Sequence, residues 1–523
     1  MAPRKGKDAS VSRSPVPPGV SVGRISKPGS SSPKPKPKPK RRPGRPFKLT
    51  FPARADLSPS QSSRSARTTA TPREITMAPP RTLSMLEALP VELIEQIFLY
   101  SLNLNFARAS PALAAAVSSE RIYGLLILLA IWDDPPSYPR SEAIDRALAP
   151  LNYRPLSLDE RERLQEAVFR CRWCTMDRVR EQIPTVMILT IHRQWINAGI
   201  QMTSEDQAAL HRFLERQDDT ARVFHGKGGP LKRVAGLLRS HPKKQRLSSL
   251  PGPHPYELHI TPMVRIEIRV PTMNTIMTFP ALHLLRFPTH MLRGRSIGFT
   301  QADVAFLEML RITSDSFKYK SSDCPLLPST TTKVDRTALH QGVTTAIRTQ
   351  NFNAMISLLK IDEYCFRFNA SNIGHSVFYT IPSDHFLTVT RHGRDKPHLN
   401  LSFFEALLRA SAESLPPHST EIRAWALDNI RLEQRRDTPY NQMNARFARW
   451  LLNFMMRLPD QIEYSLDFPN AQLFTCGQVD PMDLEGCSFM EEVLNPVRRP
   501  LDSWMEESMF HPDEYWLKKA DQT

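Results

Sequence analysis

The sequence predicts a mainly α-helical protein behind a disordered arm, and three observations carry that expectation. Apolar residues recur at spacings of three and four through most of the chain after residue 81. Helix-start signals with a hydroxyl residue followed three places later by an acid stand at Ser157-Leu158-Asp159-Glu160 and Thr300-Gln301-Ala302-Asp303. Strict alternation occurs in one clear stretch, Val264 to Val270, expected to be half of a small β-ribbon. The expected organisation is a basic tail over 1–81, a compact helical unit over 82–126, a helical region over 127–217, a linker over 218–256 and a mainly helical region over 257–523.

Charge separates the tail from the rest. Residues 1–81 hold 19 Lys and Arg against 3 Asp and Glu, a net +16, and the whole chain of 523 residues is also +16. Everything after residue 81 therefore balances at 50 charges of each sign, which excludes a basic nucleic-acid-binding fold for that part. The tail is rich in Pro, Ser, Lys and Arg and too poor in apolar residues to offset its chain entropy. Lys34 to Arg42 alternates Lys with Pro and reads as a stiff cationic rod, with Lys38, Lys40, Arg41 and Arg42 as the nuclear import signal. A nuclear protein that can also reside in the cytoplasm is expected.

Between residues 86 and 126 the chain reads as three short helices. Pro90 suits a helix start, since its fixed φ fits the first turn and its missing N–H costs nothing there. Leu93, Ile94, Ile97, Phe98 and Leu102 then fall on one broad apolar face, with Glu92, Glu95 and Gln96 opposite. Ser110-Pro111 opens a second helix in the same manner, continued by Leu113, Ala116, Val117 and Ile122.

The order Leu-Pro-x-Glu-Leu-Ile-x-x-Ile-Phe-x-Tyr-x-Leu, followed by Arg-Ala-Ser-Pro-x-Leu-x-x-Ala-Val-x-Ser, resembles an F-box of the version common in filamentous fungi. The alanine-rich Ala112 to Ser119 stands where that family has Val-Ser-Arg-x-Trp/Phe. The resemblance implies a three-helix fold that binds the Skp adaptor of a cullin-RING ubiquitin ligase through Leu89, Pro90, Leu93, Ile94, Ile97 and Phe98. It also implies a non-catalytic subunit that recruits a protein substrate, of unknown identity, through the region after about residue 130. In the tail, Arg42-Pro43-Gly44-Arg45-Pro46-Phe47-Lys48 resembles an AT-hook, with Pro43 where that family has arginine. This second resemblance implies minor-groove binding of A·T-rich DNA by Arg42, Gly44, Arg45, Pro46 and Lys48.

The later elements follow from periodicity. Helices are expected over Leu158 to Trp173, Met176 to Gln182 and Val186 to Trp195. Gly226, Gly228 and Gly229 with several prolines suggest the linker. Thr300 caps a helix carrying Phe306, Leu307, Met309 and Leu310, and Asp335 to Lys360 resembles one ankyrin unit. Helices are also expected around Phe386 and Val389, closed by Gly393, and over Leu401 to Ala410. A 49-residue offset aligns Phe306-x-x-Met309-Leu310-Arg311 with Met355-x-x-Leu358-Leu359-Lys360 and Phe404-x-x-Leu407-Leu408-Arg409, the pattern of a helical repeat. Trp425 and Trp450 read as buried anchors, and the last thirty-five residues as a mixed solvated surface.

Several function classes find no support in these residues. No phosphate-binding glycine loop, His-Glu-x-x-His or nucleophile elbow occurs, so no catalytic residue, metal ligand or cofactor is assigned. Cys171 and Cys174 have zinc-like spacing, but no second pair exists and Cys171 continues an apolar helix face, so core packing is expected. Asp133-Asp134 reads as a helix-ending polar turn. Six cysteines in this length, with no apolar leader, point to a reducing compartment. Leu125 to Trp132, the longest apolar run, is far too short for a membrane span.

Overall fold

The computed structural model describes residues 84–133, 146, 155–217, 220, 222–228, 255–273, 275–315, 332–367, 379–392, 397–435, 438–467, 474–475, 478–479 and 508–517. The chain divides into Met1–Pro80 and Arg81–Thr523. The second unit is mainly helical with a small antiparallel sheet.

Four helices open it: α1 (Val91–Ser101), α2 (Phe106–Ala109), α3 (Pro111–Ala116) and α4 (Glu120–Ile131). Ser110 and Ser119 cap α3 and α4 by accepting the N–H of Leu113 and Ile122. The run from Leu125 to Trp132 is buried along its whole length, so α4 is the central helix of this region. The boundary expected after Leu126 falls inside it.

Helix α5 (Leu158–Phe169) starts at the full Ser157/Glu160 capping box and ends four residues earlier than the sequence suggests. The two helices expected over 176–195 are one, α6 (Met176–Ile191), followed by a π turn over His192–Ile196. Pro184 lies inside α6 and is itself buried. Its lost hydrogen bond is offset by the unbroken apolar face of Val179, Ile183, Val186 and Met187.

Gln165, at 1% exposure, joins these helices to the rest. Its amide nitrogen donates to the carbonyls of Ala130 (3.1 Å) and His283 (3.0 Å), and its oxygen accepts the N–H groups of Leu285 (2.9 Å) and Arg286 (3.2 Å). One turn earlier, Arg161 donates to the carbonyl of Trp132 at 3.1 Å, pairs with Asp133 and meets His283 at 3.1 Å. Burial would raise the Asp133 carboxyl, but His283 and Arg161 hold it below its ordinary value. Burial pushes His283 down to about 4, so its ring is neutral near pH 7 and carries charge only in the acid range where the Asp133 carboxyl takes up its proton. The polar turn read at Asp133 follows the end of α4, and its half-exposed carboxylate pairs there with the buried Arg161.

The sheet has five strands in chain order: β1 (Gln201–Met202), β2 (Val223–Lys227), β3 (Pro255–Thr261), β4 (Arg265–Val270) and β5 (Thr275–Pro280). Val264 to Val270 therefore supplies an inner strand of a meander rather than half of a ribbon, with Ile266, Ile268 and Val270 buried. Part of the expected linker is strand β2, which pairs with β3 from Val223 opposite His259 to Lys227 opposite Pro255. Gly226 belongs there for a steric reason: a Cβ would stand 2.3 Å from Ile200 and 2.9 Å from Trp195. The buried face of the sheet packs on α6 and on α7 (Ser204–Leu214).

After the sheet, eight helices form four stacked hairpins: α8 (Thr289–Arg293) with α9 (Gln301–Thr313), α10 (Arg336–Arg348) with α11 (Phe352–Asp362), α12 (Asp384–His392) with α13 (Pro397–Ser411), and α14 (Thr420–Arg435) with α15 (Pro439–Asp467). Helices α8, α10, α12 and α14 pack in one row and α9, α11, α13 and α15 in a second. Gly342 permits the first contact of the outer row, since a Cβ there would lie 1.9 Å from the carbonyl oxygen of Leu292. The 49-residue alignment thus corresponds to three neighbouring helices, α9, α11 and α13. Gly393 lies outside the described residues.

The aligned basic residues Arg311, Lys360 and Arg409 are all buried. Arg311 grips Glu308 with two bonds, 3.0 and 2.7 Å, and Arg409 reaches Glu363 at 3.4 Å. Glu308 is pushed up by burial but brought down to about 2 by Arg311 and Lys360. Acids and bases therefore alternate along the stack. Trp425 and Trp450 are half-buried, in contact with Phe404 (4.8 Å) and Phe454 (5.0 Å) respectively, as anchors of the last two hairpins.

The C-terminal segment is less solvated than its sequence suggests. Trp516 is fully buried, stacks on Phe213 at 4.6 Å, and its carbonyl accepts from Arg216 at 2.5 Å. Phe510 is also buried.

Two predictions follow from packing and burial. Gln165→Leu leaves two buried and two part-buried backbone groups without this partner, and at roughly 1 kcal/mol or more for each buried group the loss should be at least ~2 kcal/mol, read from the urea midpoint. Burial raises Glu405 from 4.5 to about 7, so the folded state holds this proton more tightly than the unfolded chain. Stability should therefore fall as pH rises from about 4.5 to about 7, by up to roughly 3 kcal/mol for this group. Glu405→Gln should flatten that slope and stabilise the protein above pH 7, measured by urea unfolding across the range.

Candidate docking site on the first helix

Helix α1 is set by its entry turn. Ser84 and Glu87 bond reciprocally, the Ser84 N–H to the carboxylate at 2.7 Å and the Glu87 N–H to the hydroxyl at 3.3 Å. Pro90 then occupies the cap position with φ −55° and ψ 145°, and its carbonyl accepts the N–H of Leu93 (3.0 Å) and Ile94 (3.1 Å). At the far end Leu102 turns left-handed at φ 47°, and its N–H donates to the Phe98 carbonyl at 2.8 Å. A leucine in that region is strained by about 1 kcal/mol or more, which its packing against the core offsets.

The single broad apolar face read from the sequence is divided here into two. Ile94, Phe98 and Leu99 point inward and are buried, with the Phe98 ring 5.8 Å from that of Phe106. Leu93, Ile97 and Tyr100 form a second row at spacings of four and three, exposed by 45%, 40% and 64%. Leu89 is half-buried and Pro90 exposed. Of the six residues assigned to adaptor contact, Ile94 and Phe98 are therefore occupied by this chain's own core. Leu89, Pro90, Leu93 and Ile97 remain accessible. Tyr100, which periodicity places one turn beyond Ile97, completes the row and was not assigned from the sequence.

What this row can do follows from area. Covering a large aliphatic side chain removes enough surface from water to contribute roughly 1.5 to 3 kcal/mol, so three aligned side chains can anchor a complementary helix or groove. Glu92 and Gln96 flank the row and are exposed, which gives it a polar border.

A groove of about 830 Å³ opens beside the end of α1, between the turn after it and helix α5. Leu99, Leu102 and Leu164 form its floor, and Arg108, Arg163 and Arg170 stand around it. Cys171 also lines it and donates to the Ala167 carbonyl at 3.3 Å. Burial raises the Cys171 thiol and pushes Cys174 up to about 12, so both behave as protonated, weakly polar packing groups.

A third polar constellation lies in the stack. His340 meets His385 at 3.1 Å, His385 meets Thr344 at 3.3 Å, and His340 stands 3.6 Å from Asp362. Its order resembles a proton relay, but the carboxylate of Asp362 is already held by Arg336 at 3.0 and 3.2 Å and by the Tyr379 hydroxyl. His385 and Asp362 are almost fully buried, and burial with His340 pushes His385 down to about 3. The cluster is a brace among α10, α11 and α12.

The tail residues assigned to import and DNA contact, Lys38, Lys40, Arg41, Arg42, Gly44, Arg45, Pro46 and Lys48, lie outside the described residues. Among the described residues no helix is long and apolar enough to cross a membrane. Compared with known proteins, the chain matches no family model, no curated protein and no solved structure.

Proposed function

We propose that this chain is a non-catalytic receptor subunit of a cullin-RING ubiquitin ligase, docking a Skp-type adaptor through α1. The observation that carries this reading is the exposed row Leu93, Ile97 and Tyr100 on a helix that begins with Leu89-Pro90 and is anchored from behind by Ile94 and Phe98. The F-box-like residue order supplies the identity of the partner. The stacked hairpins after residue 289 are the part that selects a protein substrate. Such a subunit makes and breaks no bonds; it raises the effective concentration of a target lysine near charged ubiquitin.

Leu93→Asp/Ile97→Asp places two charges on the exposed row and leaves the buried face intact. Adaptor and cullin recovered with the tagged chain should drop at least about tenfold, since burying an unpaired carboxylate costs several kcal/mol. Equal recovery contradicts the assignment. Adaptor without cullin would identify a binding module outside a ligase.

A second reading concerns the tail and is supported by Gly44-Arg45-Pro46 among its cationic residues: nuclear import combined with binding of A·T-rich DNA. The full chain should then prefer an A·T-rich duplex over a G·C-rich one, and Arg45→Ala should remove the preference. A change that weakens both duplexes equally, with a lower salt slope, leaves only phosphate attraction.

A further inference from the structure

The groove beside α1 carries a charge that its surroundings do not. Residues after 81 balance at 50 of each sign, whereas the groove presents three arginines and one acid, Glu160. The Glu160 carboxylate is already spent on the capping box, bonded to the Ser157 N–H at 2.9 Å and its hydroxyl at 2.8 Å. Arg170 is paired with Glu166 at 2.6 Å. Arg108 uses one guanidinium nitrogen on Asn105 at 3.2 Å, and Arg163 has no hydrogen-bonded or ion-paired partner among the described residues. Both keep donors for a planar anion, and a carboxylate is the group that fits that fork.

The floor points to a peptide rather than a simple anion. Leu102, Leu104 and Leu156 line the opening and are half-buried over the fully packed Leu99 and Leu164, so a ligand with only charge would leave apolar surface wet. We propose that the groove binds a short acidic segment of a partner protein, with one apolar side chain on the leucine floor and carboxylates at Arg108 and Arg163. Nucleic acid satisfies the arginines but offers no aliphatic group for the floor. Tyr100 borders both the groove and the exposed row of α1, whereas Leu93 and Ile97 belong to the row alone and Arg108 and Arg163 to the groove alone, so substitutions at these four separate the two sites.

The test uses the full chain and a fluorescein-labelled peptide of one leucine between two pairs of glutamates, followed by fluorescence anisotropy at near-physiological salt. Arg108→Glu/Arg163→Glu should weaken binding at least about tenfold, and replacing the peptide leucine by serine should weaken it about fivefold. Both arginines are exposed, so an unchanged melting curve should accompany the loss. The cationic tail is identical in every variant. Affinity within twofold of the parent after charge reversal would assign the binding to the tail and overturn the proposal. So would a single-stranded oligonucleotide of equal charge that binds more tightly and is lost with the same substitutions. Adaptor recovery should be unaffected by these changes, which keeps the outcome distinct from that of the α1 experiment.

Discussion

The side-chain amide of Gln165 uses both hydrogens and its oxygen on four backbone groups from two separate stretches of chain, the end of α4 and the segment after β5. The bonds to Ala130 and Leu285 are buried and those to His283 and Arg286 part-buried, so the packing leaves little water to take the place of Gln165. One side chain supplies all four. Arg161, a turn earlier on the same helix, closes the joint by binding Trp132 and Asp133 beside a neutral His283. The position of the first four helices against the sheet depends on this arrangement. The docking role proposed for α1 needs the body behind it to be held in a defined place, and this joint ties the end of α4 to the segment after β5.

Charge is used inside the stack in a way that surface pairing could not reproduce. Arg311, Lys360 and Arg409 sit at equivalent places on three adjacent helices, and Glu308 and Glu363 sit between them. Removing a single member would leave its neighbour buried and unmatched, at roughly 3 to 5 kcal/mol. Replacement of all by apolar residues need not destabilise the protein, because the desolvation cost would also disappear. Two of these contacts cross between neighbouring helices, Glu308 with Lys360 and Glu363 with Arg409. Gly342 acts at the same level by permitting backbone contact that any other residue would block.

Local signals in the sequence were legible and distant ones were not. The Ser157/Glu160 and Thr300/Asp303 boxes are three-residue interactions and appear in the structure where the residues place them. The alternation of Val264 to Val270 gave its strand, but the number of partner strands depends on residues far along the chain. Gly226 reads as part of a linker, and only its closeness to Ile200 and Trp195 shows why a glycine lies in a strand there. The expected break between Gln182 and Val186 is absent, because the apolar packing that carries α6 through Pro184 is tertiary. On α1, periodicity marked the apolar positions correctly but could not say which are covered. Ile94 and Phe98 are, while Leu93 and Ile97 are not. Arg108 lies more than fifty residues before Arg163 and Arg170 in sequence, so the three left no joint signal.

Helix α1 is anchored on one face and open on the other, and the open face is the proposed adaptor contact. Hydrogen–deuterium exchange of the full chain with and without a purified Skp-type adaptor tests this most directly. Without adaptor, the amides of Val91–Ser101 should exchange by opening of α1, and with adaptor their exchange should slow markedly while the stack is unaffected. Protection confined to other segments, with the α1 amides unchanged at saturating adaptor, would contradict it.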